Sequence, residues 1–394
     1  MLHAASAERT LLHGGPAAPY DFRMGKIAVF DDWVDLFKDW QKDIHYDTKL
    51  LGDYQFEAKF GELGSTEVEF GDYAGQRRWE RAIEIPDQRI KDALLHLIVY
   101  QADTEFASVE QQRNLVETAP TPYDLQSLAR VNREEMRHGF QMCHLLVNHF
   151  GNAGKIEAQK LTERRAFNKN RLLGAFNGDV NNWIDFFAFT EFVDRDGKFQ
   201  LTMLSHSGFA PLARSMKAML KEEYFHMLTG HTGLMRIIKA GKIPVEIVQK
   251  YFNKWIPMSL DLFGTAQSST AHWAYVWGIK GRYDESPDKG PADKQSLNES
   301  ARTLYIQEIS GLVAALNKEI PEGKPKLFIP DEKFQRGIGA HAGQPYSVKG
   351  ELLSPEAYAK HLREVLPGPA DDQVLKPLFE EKNYILPVEQ GATA

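Results

Sequence analysis

Two short stretches of the chain carry the same two residue types at the same spacing. Residues 134–138 read "EEMRH" and residues 222–226 read "EEYFH", so Glu135 precedes His138 by three positions and Glu223 precedes His226 by three. On a helix that spacing puts a carboxylate and an imidazole on one face. Together they can ligate a metal ion, and the carboxylate has a second oxygen left for another. One such pair in a long chain says little. Of the 13 histidines here, however, only His138 and His226 follow a Glu by three residues.

Both pairs interrupt apolar stripes. Leu128, Val131, Glu135, His138, Met142 and Leu145 step by three and four, and so do Leu212, Met216, Met219, Glu223 and His226. That periodicity marks an inward helical face. An ionised carboxylate buried there costs several kcal/mol unless a cation compensates it. Two more stripes hold one acid each: Glu105 among Ile98, Ala102 and Val109, and Asp194 among Trp183, Phe187, Thr190 and Leu201. Glu105 precedes Glu135 by 30 residues and Asp194 precedes Glu223 by 29. Such spacings suit antiparallel neighbours joined by short turns, with the acids at one level. Glu191 competes with Asp194 on its helix, and the matched spacing favours Asp194.

Four carboxylates and two imidazoles from four helices form the ligand pattern of a di-metal carboxylate bundle. Glu135 and Glu223 are expected to bridge the metals, and Glu105, Glu135, Glu223 and Gln101 to take part in catalysis. Two divalent cations would balance four carboxylates. Oxygen ligands plus imidazole, without thiolate, favour iron or manganese over zinc. Iron storage and manganese catalase chemistry use the same ligand types. Gln101 lies one turn before Glu105 and either lines a substrate pocket or is an ordinary core amide. The aromatic run "NNWIDFFAFTEF" at 181–192 is a candidate apolar wall.

The elements that must position these residues are helices, so the fold class is all-α: a ferritin-like four-helix bundle with added helices. Residues 1–84 read as an N-terminal layer of loops and short helices, with room for a hairpin. Residues 85–279 read as the bundle. The first helix starts after Pro86 and stops at Pro120 and Pro122. The second spans 123–150 and ends at Gly151. The third spans 181–204, with Gly197 a weak point, and the fourth spans 209–240. One or two more follow to residue 278. Residues 280–394 read as a polar loop and an irregular wrap with short helices, since nine of the 19 prolines follow residue 320.

Composition narrows the class further. The chain has 394 residues, is 43% hydrophobic and 26% charged, and carries a net charge of −7. That balance argues against a general nucleic-acid or anionic-membrane binder. No apolar run is long enough to span a membrane. The first 20 residues are broken by Glu8 and Arg9, reading as a loose terminus and not a signal peptide. The single cysteine, Cys143, rules out an internal disulfide and an all-cysteine metal site. A cytoplasmic location is expected. An oxygenase built on this site needs two electrons per turnover. The chain has neither cluster cysteines nor G-x-G-x-x-G after a strand ("GIGAHAG" at 337–343 has the wrong spacing), so a separate reductase is expected.

Several stretches resemble the oxygenase component of benzoyl-CoA 2,3-epoxidase. They are the run 101–138, "LLGAFN", "FVDRDGKFQLTMLSHSGF", "LKEEYFH", "LDLFGTAQSS", "GIKGRY" and "AGQPYSVKGELL". The resemblance runs from about residue 30 into that last motif. It implies a di-iron monooxygenase of aromatic compound catabolism that reduces O2 and epoxidises the ring of an aryl-CoA thioester, with electrons from an NADPH-dependent reductase. NADPH would act only through that partner. Carried over, its metal ligands fall on Glu105, Glu135, His138, Asp194, Glu223 and His226. Phe106, Tyr224 and Phe225 depart from the family pattern beside ligand positions and are expected to reshape the pocket. Arg77, Arg78, Arg113, Arg130, Arg164, Arg165, Lys280 and Arg282 are candidates for the CoA phosphates, against the alternative of a solvated charged surface. Two other functions fit the ligand set: hydroxylation of another acyl-CoA or a free aromatic acid, and iron binding or storage with no organic substrate.

Overall fold

The chain was analysed as a computed structural model, which describes residues 27–286, 289–290 and 292–386. The N-terminal stretch read above as a loose terminus lies outside the described residues. Among the described residues there is no strand and no helix long and apolar enough to cross a membrane. The fold is an all-α, ferritin-like four-helix bundle with additional helices.

The four bundle helices are α2 (Gln88–Gln112), α3 (Pro122–His149), α5 (Trp183–Leu204) and α6 (Ala210–Ala240). Local chemistry sets where they begin. Asp87 caps α2 by accepting from Arg89 N, and Thr121 caps α3 by accepting from Asp124 N ahead of Pro122 at the first turn. Asn182 caps α5, accepting from Ile184 N and Asp185 N. Gly241, at φ 64°, closes α6 in the left-handed conformation. The α2–α3 and α5–α6 hairpins are the most closely packed pairs. In the second pair the backbones meet where α6 has no side chains. A Cβ on Gly230 would come within 2.5 Å of Glu191 N, and one on Gly233 within 2.3 Å of the Phe187 ring. α5 runs unbroken through Gly197.

Between the hairpins the structure adds α4 (Gly151–Glu163), which the sequence reading did not anticipate. Gly151 does end α3, but at φ 56° it turns the chain and the helix restarts at once. α1 (Phe30–Asp43) buries Trp33, Phe37 and Trp40 on one face against α3 and α4, and Trp33 Nε1 donates to Ala158 O at 3.0 Å. Burying rings of this size contributes roughly 2–3 kcal/mol each. The hairpin allowed for in the N-terminal layer is a single antiparallel bridge, Glu67 to Arg77.

Behind α5 lie α7 (Val245–Leu262), α8 (Ser269–Val276) and α9 (Leu297–Glu319). The 23 residues of α9 make a long helix where the reading of 280–394 had only loop and a wrap with short helices. Its buried face of Ala301, Tyr305, Ile309, Val313 and Leu316 packs on α5 and α6, and Tyr305 Oη donates to Phe192 O at 3.0 Å. The wrap proper ends in α10 (Pro355–Val365) and α11 (Pro369–Glu381). The apolar interior forms two clusters. One joins α1–α4 to the end of α5 and the start of α6, and the other joins most of α5 and the end of α6 to α7, α9 and the C-terminal part, with Ala107, Leu128 and Val131 of α2 and α3.

Candidate metal centre

Glu105, Glu135, His138, Asp194, Glu223 and His226 come together in the middle of the bundle, one or two from each bundle helix. All six are buried. They form two overlapping groups: Glu105, Glu135, His138 and Glu223, then Glu135, Asp194 and His226. Within each group the ligand atoms lie within 4.8 Å of one another. The carboxylates of Glu135 and Glu223 reach across both groups. Glu135 places Oε1 3.4 Å from His226 Nδ1 and Oε2 3.9 Å from His138 Nδ1. Glu223 does the converse, with Oε1 3.4 Å from His138 Nδ1 and Oε2 3.4 Å from His226 Nδ1. Glu105 lies near His138 alone, at 3.2 Å, and Asp194 near His226 alone, at 4.0 Å.

Each imidazole is held from behind by a carboxylate of the opposite hairpin. His138 Nε2 donates to Glu222 Oε2 at 2.9 Å, and His226 Nε2 donates to Glu134 Oε2 at 3.1 Å. These bonds keep the proton on Nε2 and turn Nδ1 inward. The two carboxylates are themselves anchored. Buried Arg137 donates to Glu222 through Nε at 2.7 Å and also through Nη2. Arg130 Nε donates to Glu134 at 2.8 Å, its guanidinium lying 3.7 Å from the centre of the Phe225 ring. The sequence reading passed over Glu134 and Glu222. Their signal was the doubled Glu in both "EEMRH" and "EEYFH".

The electrostatics suit cations. Burial raises the carboxyls of Glu135 and Asp194 well above the usual range, aided by the negative charge of Glu105 beside Glu135 and of Glu223 beside Asp194. Burial also acts to raise Glu223, but the imidazoles of His226 and His138 overcome it and hold that carboxyl at about 2. Both imidazoles are pushed down by burial, yet their carboxylate neighbours lift them well above the usual value. Protons therefore neutralise the cluster when no cation is bound, and metal ions would displace them. Three buried atoms in the cluster have no hydrogen-bond partner: Asp194 Oδ2, Glu223 Oε2 and His226 Nδ1. Unsatisfied buried groups of this kind are costly unless a ligand completes them. The donor set and the orphaned atoms both fit a pair of iron ions.

Beside the cluster lies a cavity of about 310 Å3 between α2 and α5, lined on a further side by residues from 262–280. Glu105, Glu135, Asp194 and Glu223 form part of its wall. Leu97, Leu173, Phe176, Val193, Leu204 and Phe263 make much of it apolar. An apolar cavity of ~150 Å3 holds benzene, so this one accommodates an aromatic ring with several atoms to spare. Gln101 lines it and donates to Glu105 Oε1 at 2.5 Å. Lys280, Gln200 and Asp196 form a polar patch in its wall, which also carries Thr104, Ser108, Ser268, Thr270 and Asn298. Burial pushes Lys280 down to about 8 and Asp196 up to about 7.

Several expectations need correcting. Phe106, Tyr224 and Phe225 do not line the cavity. Each follows a ligand by one or two positions, which turns its side chain well away from the ligand face. Phe106 seats over Gly139 and meets Trp40 at 4.8 Å between ring centres, in the α1 layer. Tyr224 is 66% exposed. The aromatic run of α5 is core: Phe189 packs on Trp255 and Phe192 on Phe252 of α7. Glu191 is engaged by Arg195 and His231. Of the candidate phosphate contacts, Arg78, Arg113, Arg130, Arg164, Arg165 and Arg282 are tied into intramolecular bonds. Arg77 is exposed, and Lys280 lines the cavity.

The sequence matches the family described as "Phenylacetic acid catabolic protein" over residues 80–324. It is 35% identical to benzoyl-CoA oxygenase component B of Aromatoleum evansii, over 78% of this chain and 74% of that one. It is 25% identical to one of the subunits of 1,2-phenylacetyl-CoA epoxidase of Escherichia coli K12, over 66% of this chain and 79% of that one. With a family match across more than half its length and a relative this similar over most of both chains, the protein belongs to the phenylacetic acid catabolic family, on the branch of benzoyl-CoA oxygenase component B.

Proposed function

We propose that the chain is the oxygenase component of a multi-component enzyme that epoxidises the aromatic ring of an aryl-CoA thioester. The observation that carries this reading is the apolar, ring-sized cavity walled by four buried carboxylates. A protein that only binds or stores iron has no need of such a space. The names of both relatives include a CoA thioester and mark each as one part of a larger enzyme. Glu105, Glu135 and His138 would hold one iron ion, and Asp194, Glu223 and His226 the other, with Glu135 and Glu223 shared. The ion pair, when bound, supplies the redox chemistry that activates O2.

The balance is one arene, one O2, two electrons and two protons giving one arene epoxide and one water. A separate NADPH-dependent reductase would bring the electrons. The chain's own residues do the rest. Glu222 and Glu134 orient the imidazoles, and Gln101 holds Glu105 by a hydrogen bond. The apolar wall keeps water from the ring and presents it to the carboxylate side. The test is single turnover by the iron-loaded, chemically reduced chain with O2 and a panel of aryl-CoA thioesters and their free acids, with products analysed by mass. An epoxide or its diol from a thioester is expected. Hydroxylation of a free acid alone, or no organic product with any compound, overturns the reading.

A further inference from the structure

One polar patch of the cavity wall is built from three residues that the metal cluster does not use. Lys280 Nζ donates to Gln200 Oε1 at 2.6 Å. Gln200 Nε2 donates to Asp196 Oδ1 at 3.0 Å and, at 3.4 Å, to Leu262 O. All three line the cavity. An ammonium carries three hydrogens, and among the described residues this one has a single hydrogen-bond partner. Bracing its own segment does not require it, because that segment is tied by its backbone. Gly281 N donates to Met203 O at 3.0 Å and Gly208 N to Gly278 O at 2.7 Å. A half-buried lysine with spare donors that lines a largely apolar cavity calls for an acceptor on the ligand.

We infer that Lys280, bridged through Gln200 to Asp196, receives a neutral carbonyl on the thioester arm of the substrate. This rests on the aryl-thioester reading above. The chemistry of the arm decides the kind of acceptor. What a thioester presents next to its ring is a carbonyl, which accepts a hydrogen bond and adds no charge to the cavity. Position agrees. Gln200 lies six residues beyond Asp194 on α5, about 9 Å along the helix axis. A ring set against the carboxylates leaves its thioester arm at that depth. Between the two, at Gly197, the wall is bare backbone, and the nearest atom to a Cβ placed there is Glu223 Oε2 at 4.0 Å. The wall therefore runs from carboxylates past an open patch to the lysine. This accounts for Lys280 as a cavity residue and not a phosphate contact.

The test is titration of the full iron-loaded chain with benzoyl-CoA, with S-benzyl-CoA (a thioether without the acyl carbonyl) and with benzoate. It compares the parent, Lys280→Met and Lys280→Gln, with iron content and Tm recorded for each. Lys280→Met is expected to weaken benzoyl-CoA by roughly ten- to a hundredfold, the loss of one charge-assisted bond. Lys280→Gln, which keeps a neutral donor, recovers part of it. If S-benzyl-CoA is unaffected, the acceptor is the thioester carbonyl. If it weakens equally, the acceptor is the first amide carbonyl of the pantetheine arm. Both outcomes support the inference. Unchanged benzoyl-CoA affinity in either folded, iron-replete variant overturns it. So does a loss of benzoate binding at least as large, which would mark a charged ligand. Failure of the parent to bind any aryl-CoA overturns the aryl-thioester reading itself, and the inference with it.

Discussion

The two halves of the metal cluster have the same ligand types and different surroundings. The α2–α3 half offers Glu105, Glu135 and His138, and its polar atoms are largely engaged. Gln101 donates to Glu105, and His138 is held between Glu105 and Glu222. The carboxylate behind its imidazole is anchored by Arg137, which is fully buried. The α5–α6 half offers Asp194, Glu223 and His226, and it contains all three of the cluster's orphaned atoms. Its imidazole is backed by Glu134, anchored by Arg130 at the edge of the protein with 43% of its side chain exposed. The first half is prearranged by hydrogen bonds and the second waits for a cation. Near-symmetric ligands therefore need not give equivalent sites, because what surrounds each ligand sets how much a metal ion gains by arriving.

The bluntest way to break the comparison is to remove a residue that both halves share. Glu135→Ala or Glu223→Ala should reduce bound iron from about two ions per chain to well under one, because each carboxylate spans both groups. Glu105→Ala and Asp194→Ala each remove an acid from one half and should leave about one ion. Elemental analysis of purified variants checks this. Full iron occupancy in Glu223→Ala would end the shared-ligand assignment.

The residues behind the imidazoles should separate the halves next. Glu222→Ala leaves Arg137 as a buried charge with no partner, and should cost about 2–4 kcal/mol of stability in denaturant titration. Glu134→Ala releases an arginine that can reach water, and should cost under ~1 kcal/mol. Both should weaken metal binding by roughly 10–100-fold. Equal stability losses would show that the exposure difference has no energetic weight.

A smaller effect compares the two walls of the cavity. Gly197→Val places a side chain beside Glu223, in the space read here as the ring's passage. Benzoyl-CoA should bind roughly tenfold more weakly while iron content stays at the parent level, since Gly197 is not a ligand. Unimpaired binding would move the passage elsewhere.

The smallest concerns pH at the polar end. The titratable group facing Lys280, through Gln200, is Asp196 on α5, whose carboxyl burial raises to about 7. Burial lowers the lysine to about 8, against the usual 10.5. Below pH 8 the ammonium is charged and donates strongly, and the charge is lost as pH rises through that value. Benzoyl-CoA affinity should therefore fall by about two- to fivefold between pH 7 and 9 in the parent, and stay flat in Lys280→Met. A flat parent profile would show that charge on Lys280 does not contribute.

Legibility differed from residue to residue. The Glu-x-x-His pairs could be read because three-residue spacing and apolar stripes are local properties of a helix. The matched 30- and 29-residue spacings pointed to Asp194, and the structure brings it to the cluster while Glu191 bonds Arg195 and His231. α4 was missed because Gly151 reads as a stop and its left-handed turn allows an immediate restart. α9 was missed because a proline-rich neighbourhood masked a regular apolar face. Phe106 was misjudged because nearness in sequence to a ligand was taken for nearness to the cavity, although one helical step turns a side chain by about 100°.

By itself the sequence determined the four bundle helices, their inward faces and the six residues at one level of them, because backbone periodicity and capping act over a few residues. Only the tertiary structure decided which hairpin's carboxylate backs which imidazole, where the cavity opens and which basic residue faces it. Those relations join residues about 60 to 90 positions apart, such as Glu222 with His138 and Lys280 with Gln200. They depend on how whole helices pack, which no local spacing records.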